Sequence, residues 1–112
     1  MQIDVTPEVI LSQLGIAKSP SALAQAQKAI DNTKDFNKFA KHIFHLNDEL
    51  KPLKAYVALS NSQNYFKIKC DQTDSPKVIE EFHDIIEKFS NKFNVKMEQV
   101  QNKEVFYILG IK

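Results

Sequence analysis

The spacing of apolar residues changes period near Pro52, and that change commits the chain to a mixed architecture. Before it, Phe36, Phe39, Ala40, Ile43, Leu46 and Leu50 recur every three or four residues, which places them on one face of a helix. After it, residues 54–60 alternate Ala55, Val57 and Leu59 with Tyr56, Ala58 and Ser60. Residues 65–70 alternate Phe66, Ile68 and Cys70 with Tyr65, Lys67 and Lys69. A period of two is the pleat of a strand. Asn61-Ser62-Gln63-Asn64 between the two runs is turn material, so the pair reads as a hairpin.

Prolines set the other boundaries. Thr6-Pro7, Ser19-Pro20 and Ser75-Pro76 each join an N-capping hydroxyl to a residue that loses no needed donor in the first helical turn. The first helix is expected from Pro7 to about Leu14, with Gly15 in the left-handed position behind it and Ile16 closing the end. A second runs from Pro20 to about Ile30, with Leu23, Ala26 and Ile30 as a thin stripe. Asp31-Asn32-Thr33 then breaks or bends the chain, because the apolar phase slips there; one bent helix from Pro20 to Leu50 fits the pattern as well. From Pro76 to Phe93, Val78, Ile79, Phe82, Ile85, Ile86, Phe89 and Phe93 form one wide stripe, with Glu80 and Glu81 early and Lys88 and Lys92 late, as the helix dipole favours. Residues 95–100 and 105–111 make a second hairpin around Gln101-Asn102-Lys103.

The order is helices followed by ββαββ. That predicts a single α+β domain over residues 1–112, with a helical segment at 1–52 and a four-stranded sheet and its crossover helix at 53–112. The last strand is apolar on both sides, with Val105, Tyr107, Leu109 and Ile111 on one and Phe106 and Ile108 on the other. Helix 76–93 covers only one face. Phe106 and Ile108 are assigned to the face it does not reach, with Tyr56, Ala58 and Val100 beside them. Either the N-terminal helices or a second copy of the chain must then cover that face, and a homodimer is the expected solution.

Composition excludes several classes. At 43% hydrophobic and 26% charged, the chain is globular rather than disordered. Val105–Leu109 is the longest apolar run and is too short to span a bilayer. Near the N-terminus, Asp4 and Glu8 stand where a secretory leader would be basic, and Pro7 interrupts its only apolar stretch. The single cysteine rules out an intrachain disulfide, and a cytoplasmic location with no membrane contact is expected. All 15 basic residues are lysine, so no bidentate guanidinium fork is available. A net charge of +1 provides no general pull on nucleic acid or anionic lipid.

No side-chain constellation reads as catalytic, cofactor-binding or metal-binding. His42 and His45, three apart on a helix, could share a metal but lack further ligands nearby; the simpler reading is a solvated face. Cys70 lies in register with Phe66 and Ile68 and reads as core filler, not a nucleophile. Glu80, Glu81, Asp84 and Glu87 read as a salt-bridged helix surface. Tyr56, Tyr65, Lys67 and Lys69 share the outward register of the first hairpin, where aromatics interleaved with lysine could stack single-stranded bases; they are also ordinary edge-strand residues.

The segment LNDELKPL (residues 46–53), followed by a strand, a turn, NYFKIK and KVIEEF, resembles the FlaG family of flagellar proteins over residues 46–80. The chain lacks the glycine and the Ile-Pro that flank that family's VIR-like stretch, and it adds a second hairpin. From residue 34 onward the α-ββ-α-ββ order is similar to roadblock/longin-type domains, which implies a dimeric, non-catalytic scaffold by analogy of topology alone. The expectation is therefore a small adaptor, scaffold or chaperone-like module that binds another protein and is associated with a flagellum. Its interaction surface would be Phe106, Ile108, Tyr56, Tyr65, Lys67 and Lys69. The alternative is a single-stranded nucleic-acid-binding module that uses the Tyr/Lys face.

Overall fold

The computed structural model describes residues 6–60, 63–72, 74–101 and 103–112. Asp4, read as speaking against a secretory leader, and the turn residues Asn61, Ser62 and Asn102 lie outside them. The described residues form an α+β fold: α1 (Pro7–Leu14), α2 (Pro20–Asn32), α3 (Phe36–Leu50), a short 3-10 turn (Lys51–Leu53), β1 (Ala55–Leu59), β2 (Phe66–Cys70), α4 (Pro76–Phe93), β3 (Val95–Gln99) and β4 (Val105–Ile111). No described helix is long and apolar enough to cross a membrane.

Each Ser/Thr-Pro pair starts a helix as its chemistry requires. The hydroxyls of Thr6, Ser19 and Ser75 accept from the amides of Val9, Ala22 and Val78. Gly15 ends α1 at φ 72°, and the Ile16 amide donates to Leu11 O at 2.9 Å. Residues 20–50 are two helices and not one bent helix. Thr33 turns its hydroxyl back to Ala29 O at 2.7 Å, and Asp35 adopts a left-handed φ of 55° before α3 begins. Lys34 between them forms a bridge with Gly110, extending the sheet beside the end of β4. Gly110 is required there, because a Cβ would lie 2.6 Å from the Lys34 amide nitrogen and the φ is 127°.

The four strands pair antiparallel, in the order β1-β2-β4-β3. The hairpin β3–β4 thus folds back so that β4 inserts beside β2, and α4 connects two strands that β4 separates. Helices and sheet meet in one core. Phe36 and Phe39 on α3, Phe82, Ile86 and Phe89 on α4, and Val57, Phe66, Ile68 and Ile108 on the strands are all buried in it. Phe36 stacks on Phe66 with centroids 5.1 Å apart.

The register corrects the assignment of β4. Phe66 pairs with Ile108 and Ile68 with Phe106, and directly opposed residues share a face. Phe106 and Ile108 therefore lie on the α4 side. Ile108 is 0% exposed, and the Phe106 ring meets Phe82 edge-on at 5.8 Å. The opposite face carries Val105 and Tyr107. Ile111 does not stay with them. Lys96 pairs with Gly110 and Met97 with Ile108, which leaves Leu109 as an extra residue in a β-bulge and turns Ile111 back to the core. Nor do the N-terminal helices cover the second face. The helix side chains that pack on the sheet meet its other side, while α2 ties down the end of the first hairpin through Gln25 to Ser60 O (2.9 Å) and Asn32 to Asn64 O (3.1 Å).

Candidate functional site

The helix-free face of the sheet is built by strand register. Ala58, Lys67, Tyr107 and Glu98 form one row across all four strands, and Tyr56, Lys69 and Val105 form a second. Neighbours in such rows have Cβ atoms about 4.5–5.5 Å apart. Tyr65, the residue before β2, brings its ring to 6.0 Å from Tyr107. The face thus gathers Tyr56, Tyr65, Lys67 and Lys69, as their alternation predicts. It adds Tyr107, Val105, Glu98 and the turn residue Lys103, which the alternation of the first hairpin does not reach. The missing signal was the pairing of β2 with β4, a non-local choice.

Electrostatically the face is mixed but favours cations at its centre. Lys69 is 3.7 Å from the Asp71 carboxylate at the rim, and the Tyr56 hydroxyl donates to the same group at 3.4 Å. Burial and the adjacent Asp71 charge push the Tyr56 phenol above its ordinary value, with Lys69 opposing them. Lys67 and Lys103 have no ion pair among the described residues. A shallow depression of about 190 Å³ lies among Lys67, Lys69, Lys103, Val105 and Tyr107. It can seat an anionic group on the lysines against the aromatic and aliphatic floor.

The other sequence candidates fall elsewhere. Among the described residues no group of three or more His, Cys, Asp or Glu is placed to hold a metal ion. His42 stacks its ring on Phe93 with centroids 3.9 Å apart, and His45 is exposed beside it. The two line a groove whose charged neighbours on α4 are Lys88 and Lys92, a poor setting for a cation. His83 pairs with Glu104 across from β4. Cys70 is 2% exposed with its sulfur 3.8 Å from Leu53 O, the packing of a core filler. Asp84 pairs with Lys88 at 2.9 Å on the exposed side of α4.

The LNDELKPL segment is accounted for by packing. Leu46, Leu50 and Leu53 are in the core, and Pro52 lies in the 3-10 turn that ends α3. Asn47 is 3% exposed and accepts from the Val57 amide of β1 at 2.8 Å. No family model, curated protein or solved structure matches the chain.

Proposed function

We propose that the chain is a non-enzymatic interaction module that binds another protein through the helix-free face of its sheet. One observation supports the reading. The face exposes three tyrosines, Val105 and Ala58 in register with Lys67, Lys69 and Lys103, while the helices seal only the other side. Tyrosine offers a large contact area with a polar tip, which suits an interface that forms and dissolves. The lysines select a partner that sets carboxylates among apolar side chains. The resemblance of residues 46–80 to FlaG proteins makes a flagellar assembly the setting in which to look for it.

The second reading, single-stranded nucleic acid, is favoured by the Tyr65–Tyr107 ring pair, one ring just ahead of β2 and the other on β4. Stacked bases need such a platform, and the adjacent lysines would follow the phosphates.

One comparison separates the two. Wild-type protein and a Lys67→Glu/Tyr107→Ala variant are used to capture proteins from the source cells, and both are titrated with a fluorescent single-stranded oligonucleotide. The protein-binding reading expects specific partners held by wild type and lost from the folded variant, with no oligonucleotide binding at low salt. If the variant retains every partner, the sheet face is not the interface. Nucleic-acid binding would instead show log K falling with log salt at a slope of about −2 for three lysine contacts.

A further inference from the structure

The groove between α3 and α4 lies on the helical side of the molecule, away from the sheet face. Its volume is about 600 Å³, within the roughly 300–1,000 Å³ range of small-molecule sites. The floor is apolar: Leu46 and Phe89 are buried, and Ile85 and Phe93 are half-buried. The two helices run antiparallel along it, because His42 meets Phe93 at one end while Glu49 and Lys88 interact at the other.

The two ends differ in charge. At the Glu49 end, Lys88 is paired with Asp84 at 2.9 Å and lies in the field of Glu49, so one cation faces two carboxylates. At the His42 end, no carboxylate lines the groove among the described residues. Lys92 has no ion pair among the described residues and holds its ammonium 5.4 Å from the Phe93 centroid. Lys41 adds to it. Burial pushes the His42 imidazole below its ordinary value, and Lys41, His45 and Lys92 push it further down. An apolar trough with one unneutralised cationic end is complementary to a molecule with an apolar body and one anionic head.

We infer that this groove is a binding site for a small amphipathic carboxylate, with the head between His45 and Lys92 and the chain along Leu46, Phe89 and Phe93. The ligand's oxygens would take the ion pair that Lys92 lacks, and its chain would remove the half-exposed rings of the groove from water. The inference stands on the helices alone and does not depend on what the sheet face binds.

The test titrates the full chain, below micelle concentrations, with dodecanoate, dodecanol and dodecyltrimethylammonium, following amide and histidine ring resonances by NMR. The expected result is saturable shifts confined to residues 42–49 and 85–93 with dodecanoate, and binding at least tenfold weaker for the alcohol and the cation. Lys92→Glu, at an exposed position, should weaken dodecanoate at least tenfold with an unchanged spectrum elsewhere, whereas Lys77→Glu should leave it unaltered. Three results would overturn the assignment: no saturable shift in the groove, equal affinity for acid and alcohol, or a Lys92→Glu variant that binds as wild type does.

Discussion

Asn47 illustrates what one residue does here that its neighbours in sequence do not reveal. It interrupts the apolar stripe of α3, and a stripe alone assigns such a residue to solvent. In the fold it is buried and its side-chain oxygen takes the outward amide of Val57, a donor that β2 does not reach because β1 is the edge strand. That contact prevents two losses, an unsatisfied buried amide and an open sheet edge. Asn47→Ala should destabilise the protein by about 1–3 kcal/mol in urea melts, the usual cost of orphaning a buried donor. A loss below about 0.5 kcal/mol would mean that water replaces the side chain and that the edge is not closed by α3. The role was not legible in advance because it depends on which strand lies beside the helix. Gly110 is similar: its need for a bare Cα is set by Lys34, 76 positions away in sequence.

At the scale of elements, the sequence was most informative where chemistry is local. The three capping hydroxyls with their prolines, the glycine after α1 and the wide stripe of α4 each lie within one turn of the boundary they set, and the observed boundaries follow them closely. Strand positions were equally plain, since alternation needs only a few residues. What alternation could not decide was the facing of β4, because both of its registers are apolar; only pairing with β2 chooses between them. The extra residue at Leu109 then reverses the facing of Ile111, which no count along the strand anticipates. The corrected facing can be checked. Phe82→Ala should cost about 3–5 kcal/mol as a large deletion in the core. Phe82→Ala combined with Phe106→Ala should show a coupling of about 0.5–1.5 kcal/mol, the worth of an aromatic pair in contact. Strict additivity of the two substitutions would return Phe106 to the opposite face.

At the scale of the molecule, every helix that packs on the sheet does so from one side, β1 is closed by α3, and β3 presents the exposed charges Lys96 and Glu98 at the far edge. What remains for association is the tyrosine-lysine face. An expectation of self-association drawn from Phe106 and Ile108 loses its surface, since Ile108 is buried in the core and Phe106 packs half-buried against it. A symmetric dimer built on the sheet would stack two copies of the remaining face. Such stacking sets Lys67, Lys69 and Lys103 of one copy against the same three residues of the other, with Glu98 as the compensating carboxylate within the cross-strand rows. Like charges brought together in a partly dehydrated interface oppose closure, and the opposition is greatest when little salt screens it. Light scattering over a dilution series at low ionic strength should therefore return a mass near 12.9 kDa at every concentration. The same series at about 1 M salt, where the screening length falls to about 3 Å, is where any face-to-face pairing should first appear. A mass of twice the monomer at low salt and low concentration would mean that the copies meet through a surface other than the lysine rows, or that acidic residues neutralise those rows on closure. Only the second result would remove the ground for reserving this face for a different, acidic protein.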